Sequence, residues 1–208
     1  MKTGYLTITH YSEGIYKEKG SKFLSFVHPV SAIEDIKQLI SGYRKKYPDA
    51  QHVCYAYMIG TECNNFRASD DGEPAGTAGK PILGQILANN LTNVLIVVVR
   101  YFGGVLLGTG GLVTAYKTAA ANALAENRIV EEQVMKQLVI TFNYLKMNEI
   151  MSLLKEYNLT PSEKKFDTMC RISLQIPVAL YQIIVTKLIT IGAKHIPDGT
   201  FFDSQNAP

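Results

Sequence analysis

The chain has 208 residues, 47% of them apolar and 19% charged, with a formal net charge of +3. This composition excludes wholesale disorder and provides for one large or two small cores. The net charge is too small for the whole chain to be a polybasic nucleic-acid module.

Tyr5 to Thr9 and Lys22 to His28 read as strands, the second through Phe23, Phe26 and Val27. Ser31 and Glu34 have the spacing of a capping box and predict a helix with Ile33, Ile36, Leu39, Ile40, Tyr43 and Tyr47 on its apolar face. Arg44, Lys45 and Lys46 fall in its last turn, where the helix dipole favours cations, and Pro48 ends it. Val53 to Ile59 alternates, which predicts a half-buried strand with Val53, Tyr55, Tyr57 and Ile59 inward. A polar turn over Thr61 to Asn65 follows. Asp70 to Pro81, DDGEPAGTAGKP, then forms a long loop with almost nothing apolar to pack; Thr77, Gly79 and Pro81 mark the start of a short helix through Ile82, Leu83, Ile86 and Leu87.

Val94 to Val99 is an uninterrupted apolar run, the pattern of a strand buried on both faces. Arg100, Tyr101 and Phe102 end it, and Gly103, Gly104, Gly108, Gly110 and Gly111 follow. Leu112, Ala115, Tyr116, Ala119, Ala120, Ala123 and Leu124 then recur at helical spacing. The glycines either shape a tight turn with close helix–strand packing or leave backbone N–H groups bare for an anion. Thr109 stands where a Walker A loop needs lysine, and Val113 where a dinucleotide fingerprint needs its third glycine, so neither nucleotide motif is present.

The first lobe is expected to close near Glu131. Beyond it Val134 to Phe142, Thr160 to Phe166, Thr168 to Ile176 and Lys194 to Ile196 read as strands, with a turn at Asp167. Leu145 to Tyr157 and Val178 to Ile191 read as helices, the second stopped by Gly192. The order β-α-β-β-α-β is that of a ferredoxin-like unit. The tail over 201–208 is expected to fray. No apolar segment reaches the roughly 20 residues of a membrane span, and no signal-peptide core opens the chain. Cys54, Cys63 and Cys170 show no C-x-x-C spacing, which argues against a disulfide framework or zinc ribbon and for a reduced, cytoplasmic setting.

Asp70-Asp71-Gly72-Glu73-Pro74-Ala75-Gly76-Thr77-Ala78-Gly79-Lys80-Pro81 and Val97-Val98-Val99-Arg100-Tyr101-Phe102-Gly103-Gly104, continuing through Leu107-Gly108-Thr109-Gly110-Gly111-Leu112-Val113, together with Ser21-Lys22-Phe23, resemble the YigZ/IMPACT family, a group assigned to translation regulation. The resemblance implies an α+β architecture of two domains. Residues 1–132 would form a lobe like the second domain of a small-subunit ribosomal protein, and 133–208 a ferredoxin-like βαββαβ lobe. The pair would resemble the last two domains of elongation factor G. At Thr114 the chain departs from relatives that often carry Arg or Lys.

Two roles are open for Arg100. It pairs internally with Asp70, Asp71 or Glu73, or it joins Lys80 and Lys117 as a cationic rim for phosphate, with Tyr101 and Phe102 stacking on bases. The candidate RNA- or phosphate-binding set is Lys80, Arg100, Tyr101, Phe102, Gly103, Gly104, Gly108, Gly110, Gly111 and Lys117. Asp70, Asp71 and Glu73 lack a metal-loop spacing, and His10, His28, His52 and His195 show no metal-ligand spacing, so no metal or other cofactor is expected. Three functions follow. The leading one is ribosome or RNA contact in translation through a cleft formed by the two glycine-rich loops. The others are a protein–protein regulatory module, and an enzyme acting on a phosphorylated small molecule with the carboxylates holding Mg²⁺.

Overall fold

The computed structural model describes residues 2–165 and 169–196. The chain divides into two compact units, Lys2–Glu132 and a second beginning at Gln133.

The first unit is built on an antiparallel five-stranded sheet. Its strands are β2 (Ser12–Glu18), β3 (Ser21–Pro29), β4 (His52–Ile59), β5 (Asn65–Ser69) and β6 (Val94–Tyr101), in the order β2-β3-β6-β4-β5. Central β6 is closed off from solvent from Val94 to Val99. Its side chains alternate between two cores. Val94, Ile96 and Val98 face α2 (Gly79–Ala88) and α3 (Gly108–Ala125), while Leu95, Val97 and Val99 face α1 (Ile33–Lys46). Helices on both sides make an antiparallel strand read as a continuous apolar run, a pattern more usual in parallel sheets. The same cover corrects the expectation for β4: Val53, Tyr55, Tyr57 and Ile59 do face α1, but Cys54, Ala56 and Met58 are buried on the α2–α3 side.

Three strands lie where none was expected, β2, β5 and β7 (Ile129–Gln133); β7 pairs with β1 (Gly4–Ile8). Helix α1 starts at Ile33 behind Ala32 with no side-chain cap, so the expected Ser31–Glu34 capping box does not form. Glu34 and Asp35 still lie in its first turn and Arg44, Lys45 and Lys46 in its last, as its dipole favours. The second glycine group is not loop: Gly108, Gly110 and Gly111 form the first turn of α3.

Small residues let α3 lie close on the sheet. Ala119, Ala120 and Ala123 are fully buried, Ser25 Oγ donates to the Ala119 carbonyl at 2.6 Å, and Ser12 Oγ to that of Ala123 at 2.7 Å.

The second unit has the order β11-β8-β10-β9, from β8 (Met135–Asn143), β9 (Pro161–Lys165), β10 (Met169–Pro177) and β11 (Lys194–Ile196), all antiparallel. Helices α4 (Met147–Glu156) and α5 (Val178–Ile191) share its core: Ile150, Leu153, Ile184 and Leu188 pack with Leu138, Ile140, Phe142, Ile172 and Leu174. This is the ferredoxin-like βαββαβ arrangement. Gly192, at φ +96°, ends α5: its N–H bonds to Ile189 O and that of Ala193 to Leu188 O. The expected turn at Asp167 and the tail over 201–208 lie outside the described residues. Among the described residues no helix is long and apolar enough to cross a membrane.

A Cβ at Gly14 of β2 would sit 2.5 Å from Ala123 N, so any side chain there drives α3 off the sheet. Gly14→Ala is expected to cost about 1–3 kcal/mol, the usual penalty of overpacking. A urea midpoint equal to that of the wild type would show that the α3–β2 spacing is soft.

Candidate functional site

The two unusual stretches meet at the end of β6. A charge that ends a strand buried on both faces needs a counter-ion, because an orphaned buried ion costs several kcal/mol. Glu73 supplies it: Arg100 Nη1 donates to Glu73 Oε1 at 2.6 Å, with the two side chains 7% and 3% exposed. Tyr116 Oη of α3 donates to the same oxygen at 2.8 Å. Burial foremost, with the Cys54 thiol and the Glu73 carboxylate beside it, pushes the Tyr116 phenol far up, so it stays a donor. The Arg100 guanidinium lies 5.5 Å from the Phe23 ring centroid and 5.7 Å from that of Phe102. Of the two roles open for Arg100, the internal pair is the one present. The pair ties the two loops together at the end of β6.

The other two carboxylates are also taken. Asp70 Oδ1 accepts from Ala78 N at 2.9 Å and Gly79 N at 2.8 Å, and Oδ2 from Gly76 N at 2.9 Å. Burial pushes the Asp70 pKa up, but these three backbone bonds outweigh it and hold the group below the ordinary carboxylate value. Asp71 Oδ2 accepts from Val53 N at 2.6 Å, and Oδ1 from Arg44 Nη2. His52 lies against the start of the loop, Nδ1 2.8 Å from Asp71 O and Nε2 3.8 Å from Glu73 Oε1. Each carboxylate thus has at least one oxygen engaged by protein donors: both oxygens of Asp70 and Asp71, and Oε1 of Glu73. Among the described residues no group of His, Cys, Asp and Glu is arranged to hold a metal. Cys54 offers no reactive thiolate: burial foremost pushes its thiol pKa well up, and Sγ contacts Asp70 O at 2.9 Å and Tyr116 Oη at 3.3 Å.

The glycines divide by task. Gly103 packs on the β2–β3 turn: a Cβ there would lie 1.9 Å from Gly20 C, and its N–H donates to Ser21 Oγ at 3.2 Å. Gly104 and Gly108 have φ of +85° and +70°. Gly110 has neither reason, since a Cβ there meets nothing within 4 Å and its φ is ordinary. Gly111 would meet only the Leu107 side chain at 3.0 Å. Around these glycines the surface is apolar, with Phe102 44%, Val105 51%, Leu106 83% and Val113 38% exposed. Tyr101 is half-buried on the α1 side. Lys80 and Lys117 are exposed and have no ion-pair partner among the described residues. Lys80 lies in the first turn of α2, whose leading amides Asp70 already satisfies; α3 begins with no side-chain cap and no acidic residue in its first turn.

Sequence reasoning missed the β2–β3 hairpin as a neighbour of this surface. The signal was Lys19-Gly20 between two strand-like runs, a two-residue turn with φ of +46° and +77°.

Residues 19–124 match the family described as the Impact N-terminal domain. The chain is 37% identical over 138 residues to the IMPACT family member YigZ of Escherichia coli (strain K12), spanning 65% of this chain and 68% of that protein. It is 33% identical over 156 residues to the IMPACT family member YvyE of Bacillus subtilis (strain 168), spanning 75% and 72%. A crystal structure described as that of a hypothetical protein superposes with a TM-score of 0.74 at 28% identity, over 95% of this chain and all of that one.

Two outcomes follow from the buried carboxylates. Arg100→Met orphans Glu73 and is expected to cost about 3–5 kcal/mol, whereas Arg100→Met with Glu73→Gln should recover a large part of that. Additive losses in urea melts would show the two side chains to be uncoupled. Asp70→Ala should cost about 1–2 kcal/mol at neutral pH, as loss of a helix cap does. Because the folded-state pKa of Asp70 is depressed, its contribution is present above the unfolded value of about 3.9 and is lost as pH falls through the folded value. The gap between wild type and variant should therefore close on acidification; a gap that is constant from neutral to acid pH would overturn this.

Proposed function

Since the chain belongs to the IMPACT family, we propose that it acts in translation regulation as a non-catalytic binding protein. It contacts RNA or the ribosome through the surface at the glycine-rich segment 102–111. One observation carries this reading: the segment stays bare where the fold does not need it bare. Gly110 is free to carry a side chain, yet carries none, and Leu106 beside it is 83% exposed. Bare backbone at an uncapped helix start suits a phosphate oxygen. Exposed Phe102 offers a face for a base, and Lys80 and Lys117 supply uncompensated charge. With Arg100 committed to Glu73, few cations remain, so binding should be weak and sensitive to salt.

A protein partner on the same surface is the second reading, favoured by the apolar exposure of Val105, Leu106 and Val113. An enzyme acting on a phosphorylated small molecule is disfavoured by the engagement of all three loop carboxylates in holding the fold and by the inert Cys54 thiol.

Fluorescence anisotropy of labelled single-stranded RNA across a salt series separates the first two. Lys80→Ala should lower the slope of log affinity against log salt by about 0.7, the loss of one phosphate contact. Gly110→Ala, at an ordinary φ with open space around it, should raise stability by about 0.4–1 kcal/mol by restricting the unfolded chain, while weakening RNA binding. Absence of RNA binding at low salt would sink the RNA reading and leave the protein partner.

A further inference from the structure

The α1-side face of the sheet carries cations that the glycine-rich segment does not account for. In register, Lys17 of β2 stands opposite Lys22 of β3, and Lys22 opposite Tyr101 of β6. Side-chain alternation puts all three on the same face as Leu24, Phe26 and Val99, the face that α1 covers. Helix α1 packs over β4 and β6, and towards β2 the face opens: Ile15, one row in from Lys17, is 47% exposed. Further along β3, Lys46 at the end of α1 stands 5.9 Å from the Phe26 ring centroid and 5.3 Å from that of Tyr47.

Lys17, Lys22 and Lys46 are exposed and form no ion pair among the described residues. The acidic residue nearest in register on this face, Glu13, accepts from Tyr11 Oη instead. Like charges set directly opposite on neighbouring strands repel. A lysine on edge strand β2 has an ordinary purpose, to discourage pairing with another chain. That purpose does not reach Lys22, because β3 is flanked by β2 and β6. An uncompensated lysine pair inside a sheet is relieved when a polyanion crosses it. Lys22 and Phe26, over which Lys46 lies, are four residues apart on β3, or about 13 Å at strand rise. That span suits a chain of phosphates better than one small anion.

We infer that this face of β2, β3 and β6 is a docking surface for single-stranded RNA, with Lys17, Lys22 and Lys46 on its phosphates and the half-buried Tyr101 ring beside its bases. The assignment rests on the RNA reading above and gives that reading its main source of charge. The face adjoins the glycine-rich segment, since Tyr101 leads directly into Phe102 and Gly103 packs on the Gly20–Ser21 turn of the same hairpin. An acidic peptide would meet the lysines but would leave the aromatic ring without a flat partner.

The test is anisotropy with a short labelled oligouridylate over a salt series. It compares wild type, the double variant Lys17→Ala with Lys22→Ala, and Lys80→Ala. Two lost phosphate contacts should lower the log–log slope by about 1.4 in the double variant. Its melting temperature should hold or rise, because a repulsion has been removed. An unchanged slope in the double variant, with a reduced slope in Lys80→Ala, overturns this surface and keeps the glycine-segment reading. No binding by the wild type at low salt overturns both. Displacement of the RNA by polyglutamate as readily as by unlabelled oligouridylate overturns RNA as the occupant and assigns the face to an acidic protein.

Discussion

The ion pair between Arg100 and Glu73 is the contact on which the first unit depends. A strand sealed from water on both faces cannot end in a charge unless a counter-ion is brought to it, and Glu73 arrives at the tip of a loop with little apolar content of its own. Once Glu73 is anchored, its neighbours hold other elements. Asp70 gathers the leading amides of α2, Asp71 joins β4 to Arg44 of α1, and His52 holds the start of the loop at Asp71. Tyr116 extends the same anchor into α3. A polar loop of this length keeps one conformation because its charges, rather than apolar side chains, fasten it to five elements, α1, α2, α3, β4 and β6. The same contacts engage both oxygens of Asp70 and Asp71 and one of Glu73, so most of the loop's acid serves to hold the loop.

What could be read from the sequence follows from where side-chain burial sets the pattern. The run from Val94 to Val99 and the alanine-rich face of α3 are dictated by packing, and both lie as their residues imply. Strands β2, β5 and β7 escaped because they lie at sheet edges and pair mainly through backbone, so their side chains carry little periodic signal; β5 is exposed over Asn65 to Ala68. Cap chemistry failed for a related reason. Local rules look three residues ahead, as at Ser31 and Glu34, whereas the carboxylate that caps α2 belongs to Asp70, nine positions before Gly79. The two-sided burial of β4 was hidden because Cys54 and Ala56, small and weakly apolar, face a core filled by helices distant in sequence.

The glycine-rich stretch shows why a motif can be specific and still ambiguous in its chemistry. Its five glycines look alike in sequence but meet different constraints. At Gly103 the backbone of the neighbouring hairpin leaves no volume for a side chain, and at Gly104 and Gly108 the chain turns through positive φ. Gly110 meets neither constraint. Counting glycines therefore overstates the ligand surface, and the informative ones are those whose absence of a side chain the fold does not explain.

Charge bookkeeping inside the first unit then bears on the choice between partners. Of its cations, Arg100 and Arg44 are consumed by Glu73 and Asp71, which are themselves consumed. The Arg100–Glu73 pair is buried and the Arg44–Asp71 pair lies at the surface, each close to neutral as a unit. Lys17, Lys22, Lys46, Lys80 and Lys117 are left at the surface without carboxylate partners among the described residues. Lys17, Lys22 and Lys46 fall on the α1 side of the sheet and Lys80 and Lys117 on α2 and α3, so a chain with a net charge of only +3 has unpaired cations on both sides of its first sheet. A polyanion with flat rings satisfies the cations and the aromatic edge together, which an apolar protein partner does not.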